Sequence, residues 1–390
     1  MKFEANRQSM LEAAKCVARV APSTSTTEIL RGILVEGDED TGEIHLTATN
    51  HEASIRQKFI ASVEEGGEML VNSRMLVDML TKLDSEFVTF SADKPEVVTV
   101  RGGRCRFQIS CISPQGYPKP IMPFPEESAI MTAICSLAKR TTFAVSDDEN
   151  KPVLQCVQIK LKNNAVHAAA SDGARMMLLK DAGEPTDEKE FLLPGRSLQM
   201  LASISEDSDV FEVSDIGNVV VFVRGDMIFT IRKLRTGSYM DTDAMVKTLK
   251  PIYSAVVDVG KMKEALSLVS VAALAGGSRE PINMALSNGE IRLQCYSSYS
   301  EANSSVPANV SKETPDTGFF YDILSLTKLF QILSGKVKLM IDERGCLLAK
   351  TRTEAYFQAP LRGSTVKVAK QEKEKNRAKG ANIVKENKAA

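Results

Sequence analysis

The chain has 390 residues, 25% of them charged and 43% apolar, with a formal net charge of −1 at pH 7. That length allows about two to four domains, and the composition is that of an ordinary water-soluble globular protein; no apolar run approaches the roughly 20 residues of a membrane span, and MKFEANRQSM is too polar for a signal peptide. A balanced charge excludes a coat of cations, and the balance is uneven: from Lys367 onward eight Lys or Arg stand against three Glu, so the remaining body is acidic and any contact with nucleic acid must be local. The expected location is the cytoplasm.

The first predicted element is a helix in MLEAAKCVARVA, where apolar residues recur at spacings of three and four. Met10, Ala14, Val17 and Ala21 share one face, and Lys15 and Arg19 point the opposite way. EIHLTAT then reads as a strand. A second helix starts in VNSRMLVDML, residues 71–80, with Leu76, Met79, Leu80 and Leu83 opposing Arg74 and Lys82. EFVTFS is a further strand, and CISPQGYPKPIMPFPEES, residues 111–128, is a proline-rich linker. MTAICSLAKRT begins the pattern again, Ile134, Leu137 and Ala138 opposing Lys139 and Arg140. In SDGARMM, Asp172-Gly173 is a turn dipeptide followed by Arg175 and two methionines: either a hairpin with a buried edge or a peptide pocket lined by adaptable thioethers. LPGRSLQMLA is another helix start, DTDAMVKTLKPIYS (241–254) a weaker boundary, and GKMKEALSLVSVAAL and LSLTKLFQIL are two more helices. The segment after Arg362 carries Lys, Glu and Ala with few apolar anchors and is expected to be disordered or marginally helical.

These elements repeat. VNSRMLVDML and LPGRSLQMLA stand 122 positions apart, and the same offset carries Ile44, Leu46, Thr49 and Asn50 onto Val166, Ala168, Ser171 and Asp172, and Phe107 onto Phe229. A fainter third copy places Ile291, Leu293 and Cys295 on Val166, Ala168 and Ala170 at an offset of 125. Each unit reads helix, strands, helix, strands. Basic faces recurring at equivalent points of tandem units suit phosphates, without reading bases.

No Gly-rich phosphate loop, HExxH, GxSxG or paired-cysteine pattern is present. Seven cysteines, without a CxxC, read as buried free thiols, and His45, His51 and His167 lack ligand-like spacing to them, so neither metal nor cofactor is expected. SDDENK (146–151) reads as a solvated loop; as a metal-dependent nuclease site, Asp147, Asp148 and Glu149 are its candidates.

The words RVAPSTSTTEILRGILVE, LTATN, FAVSDDENKPVLQCV, SDGARM and LPGRSL, in this order and spacing, resemble the bacterial DNA polymerase III β subunit, the sliding clamps, over residues 1 to about 362. The resemblance implies an α+β fold of three tandem clamp domains (1–122, 126–248 and 250–364, then a basic tail 365–390), with helices inside and sheets outside a ring of two chains. It implies no catalysis of its own. Its implied partners are double-stranded DNA held topologically, a second copy, the polymerase catalytic subunit, the clamp loader and other proteins with a clamp-binding peptide. DNA-facing residues would be Lys15, Arg19, Arg74, Lys82, Lys139, Arg140, Lys151, Arg196 and Lys263. The peptide pocket would hold Leu154, Ser171, Gly173, Ala174, Arg175, Met176, Met240, Met245, Ala359, Pro360, Leu361 and Arg362. The dimer interface would use Arg104, Arg106, Phe107 and Ile109 against Ala273, Leu274 and Glu301. Ala174, YMDT (239–242) and APLR (359–362) depart from the family's usual His, FPDY and MPMR, all around that pocket. A divergent clamp serving another polymerase, a nuclease and a scaffold without a DNA role are the alternatives.

Overall fold

The computed structural model describes residues 1–361 except 95, 123–128, 132–133, 163–164, 183–187, 236 and 278. Arg362 and the basic tail therefore lie outside the described residues. The chain divides into two compact units: Met1–Thr142 with Cys156–Val166 and Ala182–Gly237, and Phe143–Gln155 with His167–Asp181 and Ser238 onward. Both are α+β. No described helix is long and apolar enough to cross a membrane.

In the first unit the strands form antiparallel sheets. One runs Ser62–Glu65, Lys2–Asn6, Phe87–Lys94, Val97–Gly102, Cys105–Ser110. Another runs Ala129–Met131, Phe211–Ile216, Val219–Arg224, Met227–Arg232, Ala53–Ile60, Glu43–Thr49, Gly32–Gly37, Gly67–Asn72. Helices α1 (Arg7–Ala18) and α2 (Ser73–Lys82) pack together, as do α3 (Ile134–Thr141) and α4 (Gly195–Ser203). The faces read from the helical period are those the core takes: Met10, Val17, Leu76, Leu80, Ile134 and Leu137 are fully buried. In the second unit, α5 (Thr242–Thr248), α6 (Val259–Ala273) and α7 (Ile323–Ile332) accompany a sheet ordered Arg175–Ala182, Glu354–Gln358, Leu347–Lys350, Lys336–Asp342, Pro251–Asp258, Glu301–Lys312, Glu290–Tyr296, Ile282–Ser287, Phe319–Tyr321.

Helix starts follow directly from strand ends. Asn6 accepts from the N–H groups of Gln8 and Ser9, Asn72 from that of Met75, Asp258 from that of Lys261 and Asp322 from that of Ser325, each satisfying a donor that the first turn leaves open. Where Asn72 has its 122-shifted counterpart, Pro194, α4 begins without a side-chain cap. Asp322 does more: its carboxylate also takes the Ser325 hydroxyl at 2.5 Å and Arg279 Nε at 2.5 Å. Burial would raise its pKa, but the hydrogen bonds from Arg279 and Ser325 outweigh burial and hold it below the ordinary value. A depressed carboxyl contributes stability that is complete above the unfolded-state value, near 3.8, and is lost as pH falls through the folded one. Asp322→Ala is expected to cost about 2 kcal/mol at pH 7, from a lost cap and charged hydrogen bonds. The gap to the parent should narrow as pH falls below that unfolded-state value and close once the folded carboxyl is protonated; melting curves at neutral and at acid pH check this.

The repeat is physical. Strands Glu43–Thr49, Ala53–Ile60, Gly67–Asn72, Val97–Gly102 and Cys105–Ser110 recur 122 residues later as Ala165–Ser171, Arg175–Ala182, Lys189–Pro194, Val219–Arg224 and Met227–Arg232. The last strand of a repeat is lent backward. Met227–Arg232 pairs with Ala53–Ile60 of the preceding repeat, Phe229 opposite Ile55, and Glu354–Gln358 pairs with Arg175–Ala182, Met176 opposite Phe357.

Several expectations need correction. Helix α1 ends at Ala18, so Arg19 is its C-cap and Ala21 is buried beyond it. The first predicted turn of the third helix, Met131, belongs to a strand, and α3 opens at Ile134. Residues 241–254 are not a bare boundary, since Asp241 caps α5 there. The cysteines are not uniformly buried: Cys105 is exposed and Cys16, Cys111 and Cys346 are partly so. Burial pushes the thiols up, to about 11 for Cys16 and Cys295 and about 12 for Cys156, which keeps them protonated and unreactive near neutrality.

Candidate nucleic-acid and peptide-binding surfaces

In the first unit, α1 and α2 wall an open groove of about 650 Å³. Lys15, Arg19 and Arg74 line it, together with Ala18, Pro22, Asn72, Val77 and a cation that no helix-face argument indicated, Arg31. Arg31 sits on a short 3-10 turn, Glu28–Arg31, that leads into strand Gly32–Gly37. Its Nη2 donates to the Ser25 carbonyl, while its buried Nε has no hydrogen-bond partner. Arg74 stands 3.7 Å from Asp78, an exposed pair that weakens its field only slightly.

The other DNA-facing expectations scatter. Lys82 and Arg196 are exposed as expected. Lys139 is held by Asp207 at 2.9 Å and Arg140 is half-buried. In the second unit Lys151 pairs with Asp148 at 3.3 Å, and Lys263 donates to the Leu333 carbonyl at 3.3 Å, closing the last turn of α7. Asp148 also accepts from the Asn150 backbone, and these contacts lower its pKa. They are those of a solvated turn, and among the described residues no three potential metal ligands gather.

The hairpin at Asp172 is tightly built. Asp172 Oδ1 accepts from the N–H groups of Ala174 and Arg175, both at 2.9 Å; Ser171 Oγ donates to the Arg175 carbonyl at 2.7 Å and accepts from Gly173, whose φ of +95° favours glycine. Arg175 is turned inward. Its Nε lies 2.8 Å from Asp172 Oδ2 but off the N–H direction, so that contact is ionic, while Nη1 donates to Ser325 Oγ at 2.9 Å. The guanidinium stacks 5.9 Å from the Phe143 ring. The APLR segment is fixed to the same corner, with Ala359 N–H donating to the Ala174 carbonyl and Leu361 N–H to the Phe320 carbonyl, each at 2.8 Å.

Beside the hairpin lies an apolar cluster. Met176, Leu348 and Phe357 are buried, and Leu178, Met240, Leu249, Met340 and Ala355 pack on them partly exposed. Met176 is only 2% exposed, which corrects its expected place on the accessible lining: it is floor. Helix α5, bracketed by Met240 and Leu249, exposes Met245 and Val246. Gly173, Ala174 and Ala359 are exposed, and Leu154, Pro360 and Leu361 half-buried. Phe357 and Met340 went unread from the sequence; the alternation in Lys336–Asp342 and the strand just before APLR were the available signals.

Of the interface expectations, Phe107 (40% exposed), Arg104, Arg106, Leu274 (41%) and Glu301 are at the surface. Ile109 and Ala273 are not: they are 3% and 0% exposed, packed in the cores of their own units. Phe107 and Ile109 share the core-facing side of strand Cys105–Ser110, opposite Val100 and Val98, and the core gives out between them.

Residues 1–122 match the family model of the DNA polymerase III beta subunit N-terminal domain, and residues 131–241 that of its central domain. The chain is 25% identical over 331 residues to the beta sliding clamp of Synechococcus elongatus, covering 82% of this chain and 87% of that one. It is 28% identical over 295 residues to that of Staphylococcus aureus, covering 71% and 76%. Among solved structures, the Bacillus subtilis DNA polymerase sliding clamp is similar in fold with a TM-score of 0.84 at 20% identity, covering 93% of this chain and 99% of that one; the Thermotoga maritima DNA polymerase III beta subunit gives 0.82 at 18%, with the same coverage. The two domain models span more than half of the sequence, in order and without overlap, so the chain belongs to the DNA polymerase III β subunit family, the β sliding clamps.

Proposed function

We propose that two copies close head to tail into a ring of six repeats around duplex DNA, and that the ring tethers a polymerase and its loader through short peptides without doing chemistry itself. One observation carries this reading. Each repeat lends its last strand backward, which leaves one donor and one acceptor unmatched: among the described residues, Cys105–Ser110 pairs on one side only, and residues 301–307 of strand Glu301–Lys312 pair only with Glu290–Tyr296. A heterologous contact between them, made twice, closes a two-fold ring.

The repeat also gives the register. Phe229 opposes Ile55, and strand Glu290–Tyr296 stands 247 residues after Glu43–Thr49, so Phe107 should oppose Ala302 of the second copy. Arg106 then lies diagonal to Glu301 of the second copy, within reach of a charge pair. In a Cys105→Ser background, Gln108→Cys with Glu301→Cys, the next opposed pair in this register, should cross-link into a covalent dimer under mild oxidant while leaving Phe107 in place, because directly opposed strand residues meet the geometry of a disulfide. Monomer alone on a non-reducing gel would sink the ring.

Partners would dock a peptide of the type Gln-Leu-x-Leu-Phe over Met240, Met340, Leu178 and Leu249, since thioethers adapt to Leu and Phe. Two anchors, each worth roughly 1.5–3 kcal/mol less ordering costs, suit about micromolar affinity. Met245→Asp should weaken a fluorescent peptide at least about tenfold by placing a charge on the apolar rim, with dimerisation unchanged. Met176→Lys is the poorer probe because a lysine there is buried. Unchanged affinity would place the partners elsewhere.

A further inference from the structure

We propose that the apolar floor of the peptide site runs on into a basic band on the same sheet face, and that this band selects partner segments carrying carboxylates beside their apolar anchors. The inference rests on and deepens the peptide-docking reading. Strand register joins the two surfaces. Met340 and Leu348 are directly opposed in the floor, and one step along the same strands Lys338 and Lys350 are directly opposed. Ala355, which packs on the floor, is the cross-strand partner of Lys350. The next step along the face brings Lys336 and Lys180, and Arg352 stands in the turn between Leu347–Lys350 and Glu354–Gln358. All five cations are exposed.

Two features separate this band from scattered surface lysines. Lys338 and Lys350 are like charges placed opposite each other, an arrangement that costs stability and that an anion between them would relieve. Among the described residues, moreover, no carboxylate forms an ion pair with any of the five. Asp258, opposite Lys336, is turned to the start of α6, where it accepts from the Lys261 N–H at 3.1 Å; Asp342, at the other end of that strand, is held by Arg344 at 2.9 Å. The register also sets a spacing. Lys338 lies about 7 Å along the strand from Met340 and Lys336 about 14 Å, while an extended segment advances about 3.3 Å per residue. The carboxylates therefore belong about two to four positions from an apolar anchor. A peptide suits the band better than a nucleic-acid strand, because the floor beside it takes aliphatic side chains and the neighbours of Lys338 and Lys350 on this face, Val256 and Ala355, offer no ring for a base to stack on.

The test uses the full-length protein and fluorescent peptides that share Gln-Leu-x-Leu-Phe and differ in a short flank of Glu, Gln or Lys, placed at either end. At low salt the parent should bind the Glu peptide about three- to tenfold tighter than the Gln peptide in one of the two orientations, and the Lys peptide more weakly than either. The advantage should shrink as salt screens the exposed charges. Lys338→Gln with Lys350→Gln should abolish it and leave the Gln peptide unchanged, and Lys338→Glu with Lys350→Glu should transfer the preference to the Lys peptide. Melting curves check folding, and Lys350→Gln alone, expected to lose part of the advantage, replaces the pair should it melt early. Equal binding of Glu and Gln peptides by the parent, or a Glu advantage that the double variants retain, overturns the band, while the Gln peptide still reports the pocket through Met245→Asp. A Gln peptide that does not bind at all rejects the pocket, and the band falls with it. A single-stranded oligothymidylate that loses affinity in the double Gln variant while the Glu advantage persists would assign the band to nucleic acid instead.

Discussion

On a nicked circular duplex, the loaded protein is expected to survive about 1 M salt and to leave within minutes of linearisation. At that ionic strength the screening length is about 3 Å, so contacts between exposed cations and phosphates contribute little. A protein held by such contacts alone would lose affinity steeply over the same range. A closed ring has no such dependence, because it leaves only by opening or by running off an end. Gel filtration of labelled protein with circular and cut DNA distinguishes the two. Equal loss from both templates in high salt would mean ordinary electrostatic binding, and equal retention on both would mean a tight site; either result rejects topological holding.

Phe107→Asp is expected to convert the dimer into a folded monomer, raising the dissociation constant at least about a hundredfold. Phe107 is the one large apolar side chain on the core-facing side of its strand that the first unit leaves 40% exposed. A buried aromatic anchor of an interface is commonly worth about 2 kcal/mol or more, and the substitution also places a carboxylate in the junction. Each chain carries the change at a junction made twice, so both contacts fail together. Ile109 should be left alone: at 3% exposure it belongs to the core, and a polar residue there would unfold the unit and confuse the result. Leu274→Asp, on the proposed facing surface, should reproduce the effect. Light scattering at low micromolar concentration measures it, with melting temperature as the control. A fully dimeric Phe107→Asp of normal stability would move the junction elsewhere.

What the sequence made legible follows the range of the interactions. The faces of α1, α2 and α3 were readable because a helix reports its burial within its own period, and the 122-residue offset showed itself in identical residue types such as Phe107 and Phe229. The lending of Met227–Arg232 to Ala53–Ile60 was not readable, since no local pattern encodes which distant edge a strand meets. Alternation places Phe107 and Ile109 on one face, yet only the end of the core decides which of them is covered. Met176 illustrates the same limit at the peptide site, where its position beside the turn suggests lining and its neighbours Leu348 and Phe357 make it floor. Arg31 escaped because a 3-10 turn of four residues has no helical face to read. Helix α5 was hidden by its brevity and by the proline that follows at 251.

The backward loan of strands also sets a clock for synthesis. Gln57 leaves the ribosome 170 residues ahead of Met227, the residue it will face. At about 5–20 residues per second, Ala53–Ile60 waits on the order of ten to thirty seconds with one edge unsatisfied. An open edge is a template for pairing with a neighbouring nascent chain. Arg56 and Lys58 stand on that strand, two like charges that a second copy aligned on the same edge would have to bring together. Production of the protein should therefore be more sensitive to their neutralisation than the finished fold is, with aggregates collecting during translation and not during storage.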